Sequence, residues 1–115
     1  DLAKVQKHAI NWVLATDGLS SNYKLDLFEE MKCALFMHSN MPILDLAKQL
    51  LNSVTKDAAE ALGLNTGEIK EGKNADMLVL DLDKEPNDEL AIHLILHRYN
   101  ISQIYINGKV QKCSL

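Results

Sequence analysis

The run Trp12-Val13-Leu14-Ala15-Thr16-Asp17-Gly18-Leu19-Ser20-Ser21-Asn22 constrains this chain more than any other stretch. A short apolar segment ends abruptly on a carboxylate, and a glycine and small polar residues follow. A strand over Asn11 to Thr16 that stops this way sets one charged group at the mouth of a sheet or barrel. The same residues also suit a plain strand followed by an Asp-Gly turn. The segment taken alone leaves both open.

The residues on either side alternate between helical and turn-rich texture. Asp1 to His8 reads as the end of a helix or a loop, and Asp17 to Lys24 as a polar loop. Asp26 to His38 is helical: Asp26 and Glu29 have capping-box-like spacing, and Leu27, Met31 and Leu35 recur every four residues, widened by Phe28 and Ala34. Glu29, Glu30 and Lys32 form its wet side. Pro42 suits the first turn of a second helix, whose apolar stripe is Ile43, Leu46, Ala47, Leu50, Leu51 and Val54. Thr55 can cap a third, short helix with Asp57 in its first turn, and Gly63 can end it in a left-handed conformation.

Beyond Gly63 glycines become more frequent and β-formers appear. Gly67 and Gly72 flank a short strand near Glu68 to Lys70, and Met77 to Leu82 reads as a buried strand because it is nearly continuously apolar. Asp88 can cap a helix running to about His97. Ile101 to Ile106 and Lys109 to Cys113 are strands joined by Asn107-Gly108, the strongest short-range hairpin signal. One internal boundary, near Asn65, separates a helical part from a small β-rich part.

Bulk properties remove several function classes. Lysines are scattered in a chain of net charge −4, with no basic stripe, so no nucleic-acid partner is expected. No apolar run approaches the roughly 20 residues of a membrane span, and none is expected. Cys33 and Cys113 have no metal-type spacing and read as two reduced thiols of a cytoplasmic protein. His93 and His97, at i and i+4, share a helix face, but Leu94 stands where a zincin motif needs Glu. They read as surface or half-buried histidines, and His8 and His38 as structural.

Three groups of residues resemble one family. Thr16-Asp17-Gly18, Ser21-Asn22 and Leu25-Asp26-Leu27-Phe28-Glu29-Glu30-Met31-Lys32 resemble the last barrel strand and following helix of the amidohydrolase superfamily, in its chlorohydrolase and nucleoside-deaminase branch. Thr55, Ala58, Ala59, Ala61-Leu62-Gly63-Leu64, Gly67, Gly72-Lys73 and Ala75 to Asp81 resemble its C-terminal signature. Ile106-Asn107-Gly108-Lys109-Val110 is similar to its closing hairpin. The three occur in the family's order, from about Asn11 to the end of the chain.

The resemblance implies an α/β fragment: the last strand and helices of a (β/α)8 barrel over residues 1–64, and the C-terminal part of a small composite β-sandwich over 65–115. A whole barrel takes about 250 residues, against 115 in this chain. In the family, the Asp that matches Asp17 contacts the catalytic metal, accepts a proton from the metal-activated water and passes it to the departing amine. Ser20, Ser21 and Asn22 would lie beside the substrate, where they could hydrogen-bond a polar ring or ribose. Turn chemistry and helix capping are the competing role for these three. The Asp that matches Asp76 holds turn amides, a role in the fold, and Asp81 and Asp83 end the strand.

The cofactor implied for the intact enzyme is a divalent metal, zinc first and iron as the alternative. Zinc takes three or four protein ligands, and the family's histidine ligands lie on strands that would precede Asp1. No metal is therefore expected on this chain alone. The expected activity of the intact enzyme is hydrolysis of a C–N bond, the deamination of a purine nucleoside-like small molecule. The Ser21-Asn22 to Met31 stretch is most similar to deaminases of S-adenosylhomocysteine, methylthioadenosine and aminofutalosine. Chloride-displacing and guanine-deaminase-type hydrolases are alternatives, and so is an autonomous α+β interaction module without catalysis. A His-x-His motif roughly one barrel's length upstream would favour the enzyme, and a start codon directly before Asp1 the module. A homo-oligomer is expected, because faces that normally pack on a barrel would otherwise be wet.

Overall fold

The computed structural model describes residues 1–38 and 40–112. Five helices and three strands follow in the order α1 (Leu2–Lys7), α2 (Leu27–Met37), α3 (Ile43–Ser53), α4 (Lys56–Ala61), β1 (Met77–Leu80), α5 (Leu90–Leu96), β2 (Ile101–Ile106) and β3 (Lys109–Gln111). Among the described residues no helix is long and apolar enough to cross a membrane. The returning strand expected to reach Cys113 is described as far as Gln111, and Cys113 itself lies outside the described residues.

The core is helical. Met31 and Leu35 of α2, Leu46, Ala47 and Leu50 of α3, and Ala91 and Ile95 of α5 form one buried cluster together with Met41. The four-residue spacing of Met31 and Leu35 sets both on one face of α2. Leu27, expected on the same face, lies one turn too early and is exposed, as Ile43 is on α3. The involvement of α5 is not visible in sequence order: it packs on α2 and α3 although it lies beyond Asn65.

Local signals account for the start of α2 and the end of α4. Asp26 caps α2 by accepting from the Phe28 and Glu29 amides at 3.1 and 3.4 Å. Gly63, at φ +66°, closes α4 in a Schellman motif: its amide reaches Glu60 O at 3.1 Å and the Leu64 amide reaches Ala59 O at 2.8 Å. Two expected caps are corrected. Thr55 makes no cap bond to α4, because its hydroxyl donates back to Leu51 O at 2.8 Å, the end of α3. Before α5, Asn87 rather than Asp88 supplies the side-chain acceptor, taking the Glu89 amide at 2.9 Å.

The sheet is antiparallel with strand order β1-β2-β3. Asn107 and Gly108 both have positive φ, 50° and 76°, as a type I′ hairpin turn requires. Strand β1 is shorter and wetter than expected. It ends at Leu80 beside an irregularity in the ladder, and Leu78 is 50% exposed, because β2 is its one neighbour among the described residues. No strand forms near Glu68 to Lys70. Gly67 lies against the Thr55 carbonyl, and the Asn74 amide bonds Asn65 O at 2.8 Å, closing the stretch into a loop.

The expected strand Asn11 to Thr16 is likewise corrected. Trp12, Leu14 and Thr16 are half-buried while Asn11, Val13 and Ala15 are exposed, which is the period-two pattern of a strand. The ladder is missing. The segment's one described backbone bond to another element runs from the Leu14 amide to Ser53 O, 3.4 Å, at the end of α3. With no neighbouring strand to bond among the described residues, the segment has the side-chain alternation of a strand and no ladder.

Candidate functional site

Asp17 stands where this extended segment stops, exposed and in the left-handed region at φ +58°. Few residues other than glycine adopt that conformation, and Asp and Asn are the side chains that tolerate it best. Its Oδ1 accepts the Gly18 amide at 2.7 Å. The backbone then turns tightly: the Ser21 and Asn22 amides both reach Gly18 O at 3.0 Å.

The three polar residues of the loop differ in their surroundings. Ser20 and Ser21 are exposed, and Ser21 Oγ donates to Gly18 O at 3.2 Å. Asn22 is the one half-buried residue between Asp17 and Leu25. Its Nδ2 donates to Thr16 O at 2.9 Å and to Glu30 Oε1 on α2, while its Oδ1 takes the Lys24 amide at 3.4 Å. Glu30 is therefore not on a wet face. It is half-buried and bonded to the loop, a role that its position in the sequence did not signal.

Arg98 was also missed. It reaches from the α5–β2 connection to pair with Asp26 Oδ2 at the start of α2. A cleft beside this pair is lined by Phe28, Glu29, Leu94 and Tyr99 among others, and Asp17 is not among its lining residues. Burial, with Asp83 adding its charge and a hydrogen bond, pushes the Tyr99 hydroxyl up from its ordinary value.

The remaining candidates fall into supporting roles. Asp76 Oδ1 accepts the Asn107 amide at 2.7 Å, so it holds the hairpin turn. That bond, with the nearby Thr66 hydroxyl, keeps its carboxyl below the usual value. Asp81 is tied to Asn100 Nδ2 at 2.7 Å. His93 and His97 stack with ring centroids 5.4 Å apart, and Glu89 lies 3.4 Å from His93. Among the described residues no three His, Cys, Asp or Glu side chains meet in a way that could hold a metal ion. Asp17 offers one carboxylate, and zinc requires three or four ligands.

Known proteins resemble this chain along nearly its whole length. The sequence profile of the Amidohydrolase family matches residues 1–111. An aminodeoxyfutalosine deaminase of Nitratiruptor sp. is 43% identical over 111 residues, 95% of this chain and 27% of that protein. A 5′-deoxyadenosine deaminase of Methanococcus vannielii is 38% identical over 117 residues, 95% of this chain and 28% of its own length. The crystal structure of Helicobacter pylori aminofutalosine deaminase in complex with methylthio-coformycin superposes with a TM-score of 0.87 at 38% identity, covering 97% of this chain and 28% of that one. The chain thus spans little more than a quarter of the length of the relatives it matches.

Proposed function

This chain belongs to the amidohydrolase family, and we propose that it serves as the C-terminal part of a longer hydrolase that deaminates an adenosine-type small molecule. The observation that carries the reading is Asp17: an exposed carboxylate, in a strained left-handed turn, at the end of an extended segment with strand-like alternation. In this reading the segment is the last strand of a (β/α)8 barrel, where such strand ends carry chemistry. Residues 1–64 then complete the barrel, and 65–115 contribute to a small β-sandwich. Support for the substrate class comes from relatives whose names are those of adenosine-derivative deaminases.

The proposed reaction exchanges an amino group for oxygen. Water adds to the ring carbon that bears the amine, the C–N bond breaks, and ammonia leaves. Asp17 takes the proton released by the attacking water and delivers it to the departing nitrogen, the work of a general base that then acts as acid. Ser20 and Ser21, exposed on the same loop, would face substrate hydroxyl or ring nitrogen atoms, with Asn22 behind them. The family's metal, zinc or iron, would need donors beyond the described residues. A cytoplasmic location fits this small-molecule chemistry.

Ammonia release by the intact enzyme tests the proposal. Turnover of 5′-substituted adenosines is expected, with little on guanine or chlorinated triazines. Preference for guanine or a chlorotriazine would replace the substrate class. An intact protein with no hydrolase activity on any of them would favour the interaction-module alternative.

A further inference from the structure

We infer that Glu30 is a positioning residue for Asp17, acting through the side chain of Asn22; the inference rests on the role proposed above for Asp17. Asp17 occupies a backbone region that persists in a non-glycine residue when the surroundings hold it there. Its own bond to the Gly18 amide is local and moves with the loop. The loop's link to the rest of the fold is the Asn22 side chain, whose Nδ2 fixes the carbonyl of Thr16, the residue immediately before Asp17.

Asn22 is in turn fixed by α2. A side-chain amide has two N–H donors, and here one serves Thr16 O and the other Glu30 Oε1. Glu30 sits beside Met31, which is 2% exposed in the helical core, so its backbone is held by packing. The path therefore runs from the core through Glu30 and Asn22 to the Thr16 carbonyl and the turn at Asp17. Between Asp17 and Leu25 the rest of the loop is exposed, so loss of this path leaves no buried side chain to orient the carboxylate.

Glu30 acts here as a hydrogen-bond acceptor, and its charge is incidental. That distinction makes the inference testable in the intact enzyme. Glu30→Gln keeps an acceptor oxygen and should retain kcat within about threefold, as expected where the hydrogen-bonded geometry survives. Glu30→Leu and Asn22→Ala should each lower kcat by about tenfold to a hundredfold, the scale of a misplaced catalytic group. KM should change little, because the lost interaction acts in the transition state.

A second readout is independent of turnover: in enzyme labelled with 15N-glycine, the Gly18 amide signal should shift in Glu30→Leu and Asn22→Ala and stay in place in Glu30→Gln. If Glu30→Leu does not fold, Asn22→Ala in the exposed loop gives the same readouts. Wild-type kcat with an unmoved Gly18 signal in the folded variants overturns the inference. So does a Glu30→Gln as slow as Glu30→Leu, since charge would then be what matters. Asp17→Asn measured in parallel separates the two claims: a slow Asp17→Asn with a fast Glu30→Leu overturns the positioning role alone, and a fast Asp17→Asn overturns the assignment of Asp17 and this inference with it.

Discussion

Arg98 and Asp26, 72 positions apart, form an ion pair in which Asp26 is at the same time the N-cap of α2. One carboxylate thus starts a helix and ties it to the connection that enters the sheet. The two functions differ in weight. The Arg98 side chain is 69% exposed, and exposed pairs contribute about 0–1 kcal/mol. Loss of an N-cap costs about 0.5–2 kcal/mol. Asp26→Ala should therefore lower stability clearly more than Arg98→Ala in urea unfolding. Equal losses would show that the pair, not the cap, dominates.

Asp17→Asn in the intact enzyme should reduce kcat by about 10²–10⁴-fold, the usual contribution of a general acid–base group. Folding should be unaffected: Asn tolerates the left-handed conformation that position 17 adopts. Steady-state kinetics beside a thermal melt checks both parts.

Two glycines with positive φ should respond unequally to alanine. At Gly63 an added Cβ meets nothing within 4 Å, so Gly63→Ala is expected to cost about 1–2 kcal/mol, the left-handed penalty for an L-residue. At Gly67 a Cβ would lie 2.6 Å from Thr55 O and 2.7 Å from Ala59 Cβ, both on the α4 segment. Gly67→Ala must displace that backbone and should be the more destabilising of the two in denaturant titrations.

Acid should weaken the hairpin anchor. The Asp76 carboxyl is held below its ordinary value of 3.8, mainly by the Asn107 amide, so its ionised form is favoured in the folded state. Its contribution is complete above the unfolded value and disappears as pH falls through the lowered folded value. Asp76→Asn should therefore melt below wild type near neutral pH, with the gap closing in strong acid. Thermal midpoints from pH 7 downward give the comparison, and a gap that stays constant with pH would rule out ionisation as its source.

The chain by itself should self-associate. Leu78, Val79, Ile101, Ile106 and Val110 are exposed on a three-stranded sheet whose outer strands each have one described neighbour. Such edges and apolar faces pair readily with another copy. Light scattering across a concentration series should show dimers or larger species, and a monomer throughout would show that these faces tolerate water.

Short-range chemistry was legible without coordinates. Asp26 as a cap, the Gly63 stop, the Asn107-Gly108 turn and the Met31-Leu35 face each depend on neighbours within a few residues, so the local sequence specifies them. The roles expected of Asp17 and Asp76 came from the family resemblance rather than from local spacing, and the structure shows Asp76 accepting the Asn107 amide of the hairpin turn. Tertiary structure alone decided that α5 completes the core of α2 and α3, that Arg98 meets Asp26, and that Glu30 turns toward Asn22. Such contacts have no fixed spacing, because they depend on how separate elements pack. The same reason explains the segment Asn11 to Thr16: its alternating side chains are a property of its sequence, but a strand exists only where a neighbour supplies the other half of the ladder.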